Sequence, residues 1–189
     1  MKSCIRINLT QMGFSLTELV LCLLIIAIMA AFILPRFQDW RANLRVKSAA
    51  RELYSNMQNM RILAVKTNIK TAIIFDPMNN KYSLCSDWSG TVCNSILAVI
   101  DLKKYGSNVR YGHGTASIQA NSSGSSFPLT PDDNVSYSSP DNIAVFNGNG
   151  LGSSGYVYFE NAITSTTYAI GSMASGVIKL LKWQGISWK

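Results

Sequence analysis

Residues 19–34 carry no charge, and Glu18 stands immediately before them. From Phe14 to Leu34 there are roughly 20 residues, which as a helix rising about 1.5 Å each would cross a hydrocarbon layer about 30 Å thick. The run is long enough to span. Hydrophobic residues make up 48% of the sequence, yet beyond Leu34 the chain turns polar and rich in Ser, Asn and Gly. One segment is therefore suited to lipid and the other to water. With 189 residues in all, there is room for one globular domain plus an appended segment. A secretory signal would place its apolar core before the cleavage point and end it with Ala-x-Ala; residues 27–31 lack that spacing, so the apolar run is expected to be retained.

Glu18 then needs an explanation. An ionised carboxylate one turn into an apolar helix costs a few kcal/mol unless it is paired or lies near the interface. It is either paired with a cation or sits at headgroup level, where the helix dipole favours an acid.

Gly13-Phe14-Ser15-Leu16-Thr17-Glu18, opening directly into the uncharged run, resembles the processing signal of type IV pilins and type II secretion pseudopilins. The resemblance implies a leader over residues 1–13 and cleavage between Gly13 and Phe14 by a prepilin peptidase/N-methyltransferase, which also methylates Phe14. It implies a single transmembrane helix over 14–35 in a bacterial inner membrane, with a periplasmic head. It further implies that Glu18 forms a salt bridge with the Phe14 amine of a neighbouring pilin or pseudopilin subunit. An ion pair made only on docking would act as a register device.

Pro35 closes the uncharged run, and a proline there kinks a helix rather than necessarily ending it. Over 36–67, Trp40, Leu44, Ala50, Leu53, Met57, Met60 and Ala64 recur at spacings near three and four, with Arg41, Arg45, Lys47, Arg51 and Arg61 between them. This reads as an amphipathic helix whose apolar stripe covers a sheet and whose cations face solvent or neighbouring subunits. Residues 68–189 read as a β-rich head. Strands are expected over 71–75 and 81–85 as a hairpin, then 97–102, 109–111, 117–120, 143–146, 156–160, 167–171 and 177–183. The fold class is α+β: a long N-terminal helix packed on an antiparallel β-sheet head, as in pilins.

The formal net charge is +7, and +7 less Lys2 and Arg6 of the leader is +5. That mild excess favours acidic surfaces or nucleic acid without requiring either. Of the four cysteines, Cys4 lies in the leader and Cys22 in the apolar run, so only Cys85 and Cys93 are placed to pair. They form either a disulfide, as an extracytoplasmic compartment allows, or two free buried thiols. A zinc site would need further ligands, and His113 is the sole histidine.

No catalytic set is legible. The glycine-rich residues 148–155 lead into Tyr156-Val157-Tyr158-Phe159 rather than a helix, which argues against a phosphate-cradling loop and for a wide hairpin loop. His113 lies in a Gly-flanked turn without a nucleophile elbow, and Asp132 and Asp133 follow Pro131 as turn residues. No cofactor or metal is implied, and the chain is not read as an enzyme.

The C-terminus interleaves Lys179, Lys182 and Lys189 with Trp183 and Trp188, a combination that single-stranded nucleic-acid surfaces use. In a regular strand Lys179 and Lys182 face opposite sides, and the Trp rings would then complete the core. Phe146-Asn147-Gly148, Gly155-Tyr156-Val157-Tyr158-Phe159, Gly176-Val177-Ile178-Lys179 and Trp183-Gln184-Gly185-Ile186-Ser187-Trp188 are similar to the closing pattern of the GspH/FimT family of minor pilins and pseudopilins. The resemblance implies incorporation in a type IV pilus or a type II secretion pseudopilus. In pilus members a Gly-Arg-x-Arg stretch is connected with DNA capture. Here the two arginine positions hold Val177 and Lys179, leaving Lys179, Lys182 and Lys189 as the DNA-binding candidates.

Overall fold

The computed structural model describes residues 15–121, 124–129, 133–138 and 140–189, and of residues 31–36 the backbone alone. The leader over 1–13, Gly13, Phe14 and Asp132 lie outside the described residues. One helix, α1 (Leu16–Thr67), opens the chain, which divides into two compact units, Met1–Gln38 and Asp39–Lys189. Among the described residues no helix is long and apolar enough to cross a membrane. They do not support the span expected over 14–35, which takes in Phe14 and side chains between 31 and 36.

In the second unit α1 is built largely from strong helix formers, Ala, Leu, Arg, Met, Lys and Gln. It ends where Asn68 turns left-handed at φ 55°, the usual device for stopping a helix. Its buried face is Ala42, Val46, Ala49, Ala50, Leu53, Met57, Met60 and Ala64. Trp40 and Leu44, expected in this stripe, are instead exposed by 56% and 40%. Helix phase explains the correction. At roughly 100° per residue, Leu44 lies about half a turn from Leu53, so the two cannot share a face.

Among the described residues eight strands follow: β1 (Thr71–Asp76), β2 (Lys81–Trp88), β3 (Cys93–Asp101), β4 (Val109–Tyr111), β5 (Ile143–Phe146), β6 (Gly155–Asn161), β7 (Thr167–Ser172) and β8 (Ile178–Lys182). They form two four-stranded sheets, ordered β3-β2-β1-β5 and β4-β6-β7-β8, and every pairing between them is antiparallel. The α+β class stands, with two sheets in place of one. A single core cluster joins the helix to both: Leu53 and Met57 pack with Ile73, Phe75 and Phe146 of the first sheet and Val157, Phe159 and Ile170 of the second. The other face of the second sheet is covered in turn, since Tyr156, Tyr158 and Ala169 pack with Ala120, Phe127 and Leu129. Strands β6 and β7 are consequently buried along their whole length.

Three local expectations change. Residues 117–120 make only an isolated bridge, Ile118 to Ser126, because the segment lies over the second sheet instead of extending it. β3 begins at Cys93, and Leu102 enters a 3-10 turn (Leu102–Tyr105) capped by the Asp101 carboxylate, which accepts from the Lys103 N–H at 2.8 Å. Residues 148–155 do not join β5 to β6 as a hairpin: the chain turns back on itself, with Phe146 bridging Gly152 antiparallel and the Asn147 N–H donating to the Leu151 carbonyl at 2.8 Å, and then crosses between sheets, since β5 pairs with β1 while β6 pairs with β4 and β7.

Candidate functional site

Glu18 sits in the first turn of α1, and its backbone N–H and that of Leu19 both donate to the Ser15 carbonyl at 3.1 Å. That turn is where a helix dipole favours an acid. After it, Leu19, Leu21, Leu24 and Ile26 expose 54–60% of their surface. Apolar area of this extent gains roughly 25 cal/mol per Å2 when removed from water, so the segment is fitted to bury itself in another apolar phase. Cys22 is a free, exposed thiol within it. α1 continues through Pro35.

In the second unit, polar contacts fasten α1 to the head. Asn161 Nδ2 donates to the Ala42 carbonyl at 3.0 Å, and the Thr164 and Thr166 hydroxyls both donate to Asn43 Oδ1 at 2.7 Å. Further along, Thr71 Oγ1 donates to the Met60 carbonyl and Arg61 Nε to the Gly150 carbonyl, each at 3.0 Å. Arg61 is thus half-buried against the loop between the sheets, where the sequence pattern expects a solvent-facing cation. Its place on the helix offered one signal: Arg61 follows Met57 by four residues and Met60 by one, at the edge of the buried stripe.

Lys179, Lys182 and Lys189 are all exposed. Leu180 packs on the main core and Leu181 on the cluster across the second sheet, so Lys179 and Lys182 alternate to opposite faces. The chain end folds back, with the Lys182 N–H donating to the Lys189 carbonyl at 2.6 Å and the Lys189 N–H to the Lys182 carbonyl at 3.0 Å. Residues paired in this way project to one side, which brings Lys182 and Lys189 together and leaves Lys179 apart. The tryptophans are engaged in packing. Their ring centroids lie 5.2 Å apart, Trp188 lies 5.5 Å from Tyr158, and its Nε1 donates to the Ile118 carbonyl at 2.7 Å.

A cavity of about 340 Å3 is lined by Arg110, Tyr111, His113, Asn134 and Glu160. Its carboxylate is already matched, since Arg110 Nε donates to Glu160 Oε1 at 2.7 Å. This pair escapes sequence reasoning because its members are 50 residues apart. His113 stacks on Phe127 at 4.1 Å, with Nδ1 at 3.2 Å from the Ala116 carbonyl. Asp133 accepts from the Val135 N–H at 3.1 Å and from Asn142 Nδ2. A second cavity of about 370 Å3 is lined by apolar side chains such as Leu129, Val135 and Met173 and by neutral polar ones, among them Gln119, Asn121, Ser136 and Tyr156. Neither brings a nucleophile to a base. Among the described residues no three His, Cys, Asp or Glu are grouped to hold a metal ion.

Cys85 and Cys93 are joined by a disulfide across the β2–β3 hairpin, with Cα atoms 5.8 Å apart. Closing so short a loop stabilises by about 2.5 kcal/mol on the chain-entropy account. Replacing both with Ser should lower the urea midpoint of a soluble fragment over 39–189 accordingly, and reduction of the parent fragment should match it. An unchanged midpoint, or two free thiols by mass, would refute this.

No family model matches the chain. No curated protein matches it either. Among solved structures it is similar to the minor pseudopilin EpsH from the Type 2 Secretion System of Vibrio cholerae, with 9% sequence identity and a TM-score of 0.49, over 73% of this chain and 97% of that one.

Proposed function

We propose that the chain is a minor pilin or pseudopilin, a subunit cut by prepilin peptidase and incorporated in a type IV pilus or a type II secretion pseudopilus. The observation that carries this is the junction of Gly13-Phe14 with Glu18 and an uncharged helix whose side chains are exposed. Before assembly the inner membrane holds residues 14–35, a reading that rests on the sequence run. On assembly the helix enters a filament core, and Glu18 meets the amine of Phe14 on the adjoining subunit. The work of the head is contact, not catalysis.

The N-terminal mass of the protein from membranes tests the class. It should begin at N-methylated Phe14 only where the peptidase is present. A Glu18→Gln chain should be processed normally yet enter filaments at least tenfold less, since about 1.4 kcal/mol of lost pairing is already tenfold. Normal incorporation of that variant, together with no defect from an uncut leader, would remove the proposal.

DNA capture is a second reading, favoured by the pairing of Lys182 with Lys189. DNA titrations at several salt concentrations test it: affinity should fall steeply with salt, and the slope should flatten when both lysines become Gln.

A further inference from the structure

The pair Asn-Gly occurs twice in the sequence, as Asn147-Gly148 and Asn149-Gly150, both in the segment that leaves β5. Asparagine before glycine is chemically labile: the next backbone nitrogen can attack the side-chain amide, and glycine has no Cβ to obstruct the five-membered ring that forms. The reaction needs that nitrogen free to give up its proton and the side chain free to turn towards it. The fold treats the two pairs differently.

At Asn149-Gly150 both groups are engaged. The Gly150 N–H donates to the Asn147 carbonyl at 2.9 Å, and Asn149 Oδ1 accepts from the Leu151 N–H at 3.1 Å. Arg61 Nε holds the same residue from the other side, through the Gly150 carbonyl at 3.0 Å. At Asn147-Gly148 neither group is engaged, since among the described residues the Gly148 N–H and the Asn147 side chain have no hydrogen-bond partner. Asn147 is half-buried and lines a cavity of about 320 Å3 with Lys70, Trp88 and Ser153, so water can enter beside it. Packing also retains the glycine that makes this pair labile, because a Cβ at Gly148 would overlap Asn68 Oδ1.

We infer that Asn147 is a site of self-modification, converting to aspartate and its β-linked isomer, while Asn149 two residues on is protected. The Gly148 nitrogen, its proton lost to water, attacks Asn147 Cγ. That N–C bond forms, the Cγ–Nδ2 bond breaks, and Nδ2 leaves as ammonia with a proton taken from water. Water then opens the resulting succinimide at either carbonyl. One water is added and one ammonia lost, with no oxidant or reductant. The β-linked product lengthens the main chain by a methylene just ahead of Gly150, whose carbonyl Arg61 holds, so conversion slackens the loop between the sheets.

The test keeps the full-length chain in detergent and mildly alkaline buffer, and follows its peptides by mass, with fragmentation that separates the β-linked isomer. Asn147 should convert roughly tenfold faster than Asn149, because the bonds at Asn149 and Gly150 must open before attack. In urea, where neither pair is held, the two rates should agree within about twofold. Asn147→Gln, which keeps the amide but requires a larger ring, should leave position 147 unconverted and the rate at Asn149 unchanged. Equal rates in the folded chain, faster conversion at Asn149, or a tenfold difference that survives in urea would overturn the inference. Conversion of Asn147 no faster than that of Asn79, which precedes Asn80 and not a glycine, would overturn it as well.

Discussion

Above pH 10 the head is expected to unfold in one steep transition driven by four tyrosines. Tyr82, Tyr111, Tyr137 and Tyr158 are buried, and burial disfavours the phenolate. It pushes the Tyr158 hydroxyl up to about 12 and the other three further, outweighing the bonds that favour the anion. Those opposing bonds are donated by Asn56 Nδ2 to the Tyr82 hydroxyl at 3.0 Å, by the Ser172 N–H to Tyr137 at 2.9 Å and by the Ala120 N–H to Tyr158 at 2.9 Å. A group whose pKa is raised on folding contributes stability that is complete below its unfolded value, here 10, and is lost as pH rises towards the folded value. Between pH 10 and 12 each tyrosine removes about 1.4 kcal/mol per pH unit, so the four together remove about 5. A domain stable by about 5–10 kcal/mol, the lower part of the usual range, should therefore unfold near pH 11 to 12. Tyr82, Tyr111 and Tyr137 belong to the core under α1, and Tyr158 lies across the second sheet, so both faces should be lost together. Tyrosinate absorbance and circular dichroism on the fragment over 39–189 should share one midpoint. Full ionisation of its tyrosines near pH 10 with the strands intact would sink the prediction.

How much of this was legible in the sequence depends on the range of the interaction. The β1–β2 hairpin was readable because Asp76-Pro77-Met78-Asn79-Asn80 is local turn chemistry: Asn80 takes φ 58°, and the Asp76 carboxylate accepts from the Asn79 N–H at 3.1 Å. The strands β5 to β8 are readable as well, because short runs rich in aromatic and β-branched residues are each bounded by Gly, Asn or Ser; that β6 and β7 are covered on both faces is not, since the second cover comes from distant residues such as Ala120, Phe127 and Leu129. The division into two sheets was not, since β1 pairs with β5 across some 70 residues of chain and no local pattern encodes that. Spacings of three and four from Trp40 do not keep phase with Leu53, so the stripe expected at Trp40 and Leu44 lies instead at Ala42 and Val46. For the candidate residues, strand parity separated Lys179 from Lys182 correctly. The return of the chain that sets Lys182 against Lys189 depends on a turn over Gln184 to Ser187, with Gly185 at φ 89°, which the sequence reading did not resolve.

Gly176→Ala should destabilise the head by about 3 kcal/mol or more, for reasons unconnected with any ligand. Gly176 adopts φ 78° in a turn where its N–H donates to the Met173 carbonyl at 2.8 Å. A side chain in that left-handed region costs roughly 1–2 kcal/mol. A Cβ there would also overlap the Gly150 carbonyl oxygen and come within 2.7 Å of Arg61 Nε. That carbonyl is the one Arg61 bonds, so the new methyl group would separate the turn before β8, the loop between the sheets and the helix at a single point. Arg61→Ala alone should cost about 1.5–3 kcal/mol, the range for a charge-assisted bond to a buried partner. The double variant should cost less than the sum, because both changes disrupt the same contact. Gly176→Asn separates the causes: asparagine tolerates the left-handed backbone but keeps the Cβ, so it should recover little if overlap dominates. Urea unfolding of the four forms supplies the cycle, and simple additivity, or full recovery with Asn, would show that the close approach to Gly150 and Arg61 is not what requires glycine. Gly176 opens the Gly176-Val177-Ile178-Lys179 stretch, so a glycine at its head is explained by packing alone, and any role in DNA capture must rest on the lysines that follow.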